Sequence, residues 1–172
     1  MVYIEPQNSY KLSNRTTIRN LESILKILDD VKPVLIGEIA IAAYARYYSL
    51  PYDRKFRDIE LVISKNKEKY TKEIICNLLI NKNKWINTKE IEYIIGSLFV
   101  DGSIKIIYKD GPNINILFEG KEIPYNEMVL EFGKKIMKLY VAKIEYLYED
   151  RMINFNEYDI KLLDHLKEKI KF

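Results

Sequence analysis

The chain of 172 residues is 48% hydrophobic and 31% charged, with a formal net charge of +3. This composition predicts a folded domain with a sizeable core and gives no electrostatic argument for nucleic-acid binding. The single cysteine, Cys76, excludes an intrachain disulfide, so no disulfide partner is expected, and the low cysteine content is typical of a cytoplasmic protein.

The first half of the chain alternates predicted helices with short apolar strands. Hydrophobic residues recur at helical spacing over residues 19–30, and a strand follows over residues 34–36. A lone glycine, Gly37, separates that strand from a helix predicted over residues 38–48. The apolar, β-branched run over residues 58–64 predicts a second strand, and residues 65–81 predict a third helix.

The second half changes from strands to helices. Strands are predicted over residues 90–100, 103–108 and 113–118, and the hairpin signal Asp101-Gly102 makes the first two antiparallel. After Pro124 the pattern predicts one long helix or a kinked pair over residues 127–148, with Gly133 as its weak point, and a last helix over residues 156–169.

These elements predict an α+β fold with a mixed or antiparallel sheet of about five strands flanked by helices. We expect residues 1–172 to form a single domain. Its α/β core would cover residues 1–125, and a helical C-terminal region over residues 126–172 would pack on that core. No apolar run is long enough to cross a bilayer and the first residues lack the layout of a signal peptide, so no membrane partner is expected.

Asp58 and Glu60 are the residues from which a chemistry can be predicted. Residues i and i+2 of a strand project to the same face, so the two carboxylates lie side by side. Such a pair suits Mg²⁺, which takes one or two protein oxygens and completes its shell with phosphate and water. The helix start at Gly37 offers backbone N–H groups to phosphates, and Arg54 and Arg57 add positive charge. The alternative is a half-buried strand whose acids simply face water.

The order of these features resembles the nucleotidyltransferase superfamily, and in particular its AbiEii-type toxins and related minimal nucleotidyltransferases. The resemblance lies in Gly37, a helix with Ala40 and Tyr44, Arg54, and the strand Asp58-Ile59-Glu60-Leu61-Val62. It continues in Lys138, expected on a helix, and in the helix start Phe155-Asn156-Glu157-Tyr158-Asp159-Ile160.

The resemblance implies a nucleotidyltransferase-like sheet, Mg²⁺ as cofactor and a nucleoside triphosphate such as ATP as substrate. The metal ligands it implies are Asp58 and Glu60. The implied catalytic residues are Asp58, Glu60 and Asn115, and the implied nucleotide-binding residues are Gly37, Glu38, Arg54 and Arg57.

Several positions depart from the family pattern. Glu60 replaces an aspartate, and Asn156 replaces another. Where a third carboxylate is expected, the strand offers only Asn113 or Asn115. Glu38 stands where the family has Gly or Ser. The helix dipole favours that carboxylate by roughly 0.3–1 kcal/mol. A phosphate about 4 Å away would oppose it by roughly 4 kcal/mol at an effective dielectric near 20, unless a metal or an arginine intervenes.

Two functions therefore remain open from the sequence. The first is Mg²⁺-dependent transfer of a nucleoside monophosphate from a nucleoside triphosphate to an acceptor hydroxyl on tRNA, a protein or a small molecule. The second is a catalytically inactive nucleotidyltransferase-like binding module with an RNA or protein partner, for example in a toxin–antitoxin-like pair or a mobile element. Both require the side chains at positions 58 and 60 to share a cleft with the turn at position 37.

Overall fold

The structure is a computed structural model that describes residues 9–80, 92–150 and 155–169. The α-helices of these residues are α1 (Arg15–Ile27), α2 (Gly37–Tyr47), α3 (Glu68–Ile80), α4 (Ile144–Glu149) and α5 (Glu157–Lys169). The strands are β1 (Tyr10–Lys11), β2 (Val34–Ile36), β3 (Lys55–Phe56), β4 (Ile59–Ser64), β5 (Ile94–Val100), β6 (Ser103–Tyr108), β7 (Ile114–Glu119), β8 (Tyr125–Phe132) and β9 (Lys135–Ala142).

A seven-stranded mixed sheet in the order β5-β6-β7-β4-β2-β9-β8 forms the centre of the described fold. The pairs β2–β9 and β4–β7 are parallel, and the remaining pairs of this sheet are antiparallel. Strands β1 and β3 form a separate antiparallel ribbon. The strand β2 is buried along its whole length, as expected at the centre of a sheet that is covered on both faces.

Helix α2 packs on this central part of the sheet and is itself surrounded. Eight of its 11 residues are buried, because alanines and isoleucines lie on almost every side of it. It contacts β2, β4 and β8, and helices α4 and α5 pack against it from the C-terminal part of the chain. The start of α2 therefore lies where the middle of the sheet and the C-terminal helices meet.

The structure confirms the α+β fold and most of the predicted elements. Strands β2 and β6 have the predicted bounds, and the two-residue turn Asp101-Gly102 joins β5 to β6. The antiparallel pairing of β5, β6 and β7 is also as predicted. The sheet has seven strands where about five were expected, and the start of the strand predicted at residue 90 lies outside the described residues.

The long helix predicted over residues 127–148 is wrong. Most of this segment is the antiparallel hairpin β8–β9, and only α4 is helical. Its buried residues alternate with exposed ones, at Met128, Leu130 and Phe132, as the two-residue period of a strand requires. Gly133, with φ +64°, begins the two-residue turn, a position that favours glycine.

Lys138 is therefore not the helical lysine that the family resemblance implied. It lies on β9, and its Nζ is 3.2 Å from Glu127 Oε1 on the neighbouring strand. Lys, Glu, Met and Leu have high helix propensity, but the apolar face of the hairpin completes the sheet beside β2. Tertiary packing has overridden local propensity here. Over the described ranges, no helix has the length and apolarity needed to cross a bilayer.

Candidate active site

The candidate site is built around the start of α2. Gly37 has φ +71°, a conformation that glycine adopts without steric cost. A Cβ at this position would be 2.3 Å from Glu60 Oε2, so the side chain of Glu60 fills the space that only glycine leaves open. The register explains this contact, because Ile36 of β2 pairs with Glu60 of β4.

Asp58 and Asn115 lie beside Glu60. Asn115 of β7 pairs with Glu60, and its amide Nδ2 donates a hydrogen bond to Asp58 Oδ2 at 3.3 Å. The structure thus brings Asp58 and Asn115 together beside Glu60, which contacts Gly37. Asn115 acts here as a hydrogen-bond donor to Asp58. The catalytic and metal-binding roles of these residues stay predictions.

Arg54 lies between two carboxylates. One guanidinium nitrogen is 3.2 Å from Glu38 Oε1 on the first turn of α2 and 3.5 Å from Asp159 Oδ2 on α5. The arginine therefore stands beside Glu38, where it offsets the repulsion that this carboxylate would exert on a phosphate. The fourth predicted nucleotide-binding residue, Arg57, is exposed just before Asp58.

Asp159 is a fully buried carboxylate at the start of α5. It accepts hydrogen bonds from the Tyr52 hydroxyl at 2.7 Å and from the Asn156 backbone N–H at 3.0 Å, in addition to the ion pair with Arg54. The Asn156 side chain in turn accepts the Asp159 backbone N–H at 2.8 Å. This reciprocal arrangement is a capping box, for which asparagine is as suitable as aspartate.

Asp150 is the residue of this site that the sequence analysis missed. It follows α4, and its Oδ2 accepts a hydrogen bond from the Gly37 backbone N–H at 3.2 Å. The Asp150 carboxylate therefore occupies a donor of the first turn of α2. The two residues are 113 positions apart, and no motif around Asp150 signals the contact.

We use the term acidic cluster for Glu38, Asp58, Glu60 and Asp150. The pKa of Glu60 is raised from its ordinary value of 4.5 to about 7, chiefly by burial and then by the charges of Asp150, Glu38 and Asp58, in that order of size. Glu60 Oε2 is buried without a hydrogen-bond partner among the described residues. The Glu60 carboxylate thus lies among like charges, and a bound cation would relieve their repulsion.

The donors fit a two-carboxylate magnesium site. Asp58, the residue before β4, and Glu60 on β4 would supply hard oxygen ligands, and the buried Glu60 oxygen lacks a partner among the described residues. Among the described residues, no three His, Cys, Asp or Glu side chains form a group with metal-binding geometry. Mg²⁺ does not require such a group, because substrate phosphates and water complete its octahedral shell.

A solved structure has a fold similar to that of this chain. The crystal structure of the lincosamide antibiotic adenylyltransferase LnuA, with lincomycin bound, matches 90% of this chain and 98% of its own with a TM-score of 0.54. The chain has a nucleotidyltransferase fold. Only 15% of the matched residues are identical, so the likeness concerns the fold alone. No protein-family model and no curated protein matches the chain, and the resemblance to the AbiEii branch rests on the short motifs.

Proposed function

We propose that this protein transfers a nucleoside monophosphate from a nucleoside triphosphate to an acceptor hydroxyl, with Mg²⁺ as cofactor. The observation that carries the proposal is the packing of the Glu60 carboxylate against Gly37, with Asp58 beside it. Two adjacent carboxylates beside the N-terminus of a buried helix form a place for a cation next to a phosphate.

Asp58 and Glu60 are the residues that would hold the cation. When bound, Mg²⁺ polarises the phosphoryl group and neutralises charge on the leaving pyrophosphate. The buried Glu60 oxygen lacks a partner, and a cation would supply one. Asn115 keeps the Asp58 carboxylate in place by donating its amide hydrogen bond.

The backbone of Gly37 and the side chain of Arg54 serve the nucleotide. Gly37 begins α2, and the backbone N–H groups of this first turn are the donors that phosphate oxygens would bind. Arg54 pairs with Glu38 and so weakens the repulsion between this carboxylate and a bound triphosphate. Asp159 on α5 pairs with Arg54, and the Tyr52 hydroxyl donates a hydrogen bond to the same carboxylate.

The fold neighbour guides the choice of substrates. It is named an adenylyltransferase and holds lincomycin, so we propose ATP as donor and test small molecules first as acceptors. The motif resemblance adds tRNA and protein hydroxyls as further acceptor classes.

A transfer assay tests the proposal. The protein is incubated with ATP labelled at the α-phosphate, Mg²⁺, and separate panels of small hydroxylated molecules, tRNA and proteins. We expect label in one acceptor class, and a loss of at least about a hundredfold in Asp58→Asn because a metal ligand is removed. Asp53→Asn is the matched control, since Asp53 is an exposed aspartate on the other side of the short strand β3. Transfer that Asp58→Asn retains in full would contradict the proposal.

A second candidate function is a catalytically inactive binding module with this fold. The Asp150 carboxylate on the Gly37 N–H favours it, because an acidic side chain already occupies a phosphate donor. The replacement of a third acid by Asn115 favours it as well. This candidate predicts no stabilisation by Mg²⁺ and ATP, whereas a bound ligand at 100 times its dissociation constant adds about 2.7 kcal/mol to the unfolding free energy.

A further inference from the structure

Asp150 contacts the backbone N–H of Gly37, a hydrogen-bond donor that would bind a nucleotide phosphate in the proposed function. Asp150 Oδ2 accepts the Gly37 backbone N–H at 3.2 Å. Asp150 is the residue after the last turn of α4, and it is half-buried. One N–H group at this position does not serve a carboxylate and a phosphate oxygen equally well at the same time, since a linear hydrogen bond has one acceptor.

Two carboxylates lie close to Gly37, one at the Cβ position and one at the backbone N–H. The Glu60 carboxylate fills the position where a Cβ would be, so one side of Gly37 is closed by a like charge. The Asp150 carboxylate lies at the N–H itself. A phosphate that reaches this donor must displace the Asp150 side chain and approach within a few ångströms of Glu60.

The negative charge of the acidic cluster makes the binding of a nucleotide depend on a cation. The cluster carries four carboxylates, and the nearby Arg54 is shared between Glu38 and Asp159. Metal-free ATP carries about four negative charges at neutral pH and would be repelled by each ionised member of the cluster. A divalent cation removes two of these charges and binds to Asp58 and Glu60, so the metal complex is repelled far less.

We propose that Asp150 is a specificity-determining residue, whose carboxylate covers the phosphate donor of Gly37 and admits nucleotide only as its divalent-metal complex. The inference rests on the proposed function, because it takes Gly37 as the phosphate-binding position. It adds a residue that neither the motifs nor the fold neighbour assigns.

Two substitutions separate the charge of Asp150 from its hydrogen bond. Asp150→Asn removes the charge and keeps an oxygen that can accept the Gly37 N–H. Asp150→Ala removes both. Glu149→Gln is the matched control, because Glu149 is the neighbouring exposed acid on α4. Dissociation constants are measured by calorimetry for ATP in excess EDTA and for ATP in excess Mg²⁺.

We expect the wild-type protein to bind the Mg²⁺ complex much more tightly than metal-free ATP. In both Asp150 variants the ratio of the two dissociation constants should narrow by about tenfold, because the lost repulsion acts mainly on the more highly charged ligand. Asp150→Ala should further tighten both forms by a similar factor, since it frees the Gly37 donor. Glu149→Gln should keep the wild-type ratio.

A second measurement follows Gly37 directly. In ¹⁵N-labelled protein, Asp150→Ala should shift the Gly37 amide resonance by itself, since it loses an acceptor. Metal-free pyrophosphate should then shift this resonance in Asp150→Ala but not in wild type. This readout needs no acceptor and no turnover.

The outcomes are distinguishable. An unchanged ratio in both variants, or a Gly37 amide that ignores pyrophosphate in Asp150→Ala, would overturn the inference. A loss of Mg²⁺–ATP affinity of about tenfold or more in Asp150→Asn would also overturn it, because Asp150 would then be a cation ligand. If binding behaves as expected and no variant transfers label to any acceptor, the inference stands and the proposed transfer reaction fails.

Discussion

Two glycines of this chain have a similar conformation and very different surroundings. Gly37 has φ +71° and Gly111 has φ +81°, and a Cβ on either would collide with a neighbouring side chain. At Gly111 the neighbours are Thr16 and Asn20 of α1, and the buried Asn20 amide donates to the carbonyl oxygens of Asp110 and Pro112, both at 3.0 Å. The Asn20 amide nitrogen thus has a partner for each of its two hydrogens.

At Gly37 the neighbour is a carboxylate with an unpartnered buried oxygen. Glu60 Oε2 has no hydrogen-bond partner among the described residues, and the other members of the acidic cluster add to the charge around it. The Gly111 turn therefore attaches α1 to the connection between β6 and β7, whereas the Glu60 carboxylate at the Gly37 turn lies among like charges. Such an arrangement is typical of a ligand site, because the ligand supplies the missing partner.

The largest expected loss of stability follows from a substitution at Gly111. Gly111→Ala places a Cβ 2.6 Å from Thr16 Cβ, and it adds the cost of positive φ for alanine. We expect a loss of about 3 kcal/mol or more in the unfolding free energy, measured by urea titration. Gly102→Ala is the control, since Gly102 has φ +84° and no atom within 4 Å of a built Cβ, and it should lose only about 1 kcal/mol. Equal losses would mean that packing against α1 contributes nothing.

The next effect is at Gly37. Gly37→Ala should lose about 2 kcal/mol and abolish nucleotide binding, because its Cβ meets the Glu60 carboxylate. In a Glu60→Ala background the same change should cost only about 1 kcal/mol, the cost of the backbone conformation. A double-mutant cycle by urea titration measures this difference. An additive cycle would contradict the contact between the two residues.

Glu60 should make stability depend on pH. Its pKa is raised from 4.5 to about 7, so the folded protein keeps a proton that the unfolded chain has released between these values. The unfolding free energy therefore falls as pH rises through this window, and the loss persists above pH 7. Glu60→Gln should be more stable than wild type by about 1–2 kcal/mol at pH 8, after allowance for solvent screening, and about equal at pH 4.

Urea titrations at both pH values check this expectation, with Glu73→Gln as the control on an exposed acid of α3. A wild-type protein as stable as Glu60→Gln at pH 8 would show that the Glu60 charge is neutralised in the folded state.

The smallest effect is that of the cation alone. At ten times its dissociation constant Mg²⁺ should add about 1.4 kcal/mol to the unfolding free energy, a shift of roughly 3–5 °C in the melting temperature. Asp58→Asn should abolish this shift, and the Glu73→Gln control should retain it. A shift that survives in Asp58→Asn would place the cation elsewhere.

Local patterns predicted the elements that carry their own signals. The strand β2, the Asp101-Gly102 turn and the helix that begins beside Gly37 follow from apolar runs and turn residues within a few positions of each other. The hairpin β8–β9 was not predicted, although its alternating buried residues and Gly133 were visible. Residues of high helix propensity concealed it, and only the neighbouring strand β2 provides the surface that selects the extended form.

The candidate site also has a part that the sequence predicted and a part that it did not. The amino-acid sequence alone predicted that Asp58 and Glu60 lie together near the turn at Gly37, because they are two positions apart. Strand β4 begins only at Ile59, and the Asn115 amide hydrogen bond holds Asp58 beside the strand.

Only the tertiary structure decided that Asp150 reaches the Gly37 N–H and that Asp159 reaches Arg54. These contacts join residues more than 100 positions apart, and they depend on how α4 and α5 pack against α2, which no local pattern encodes.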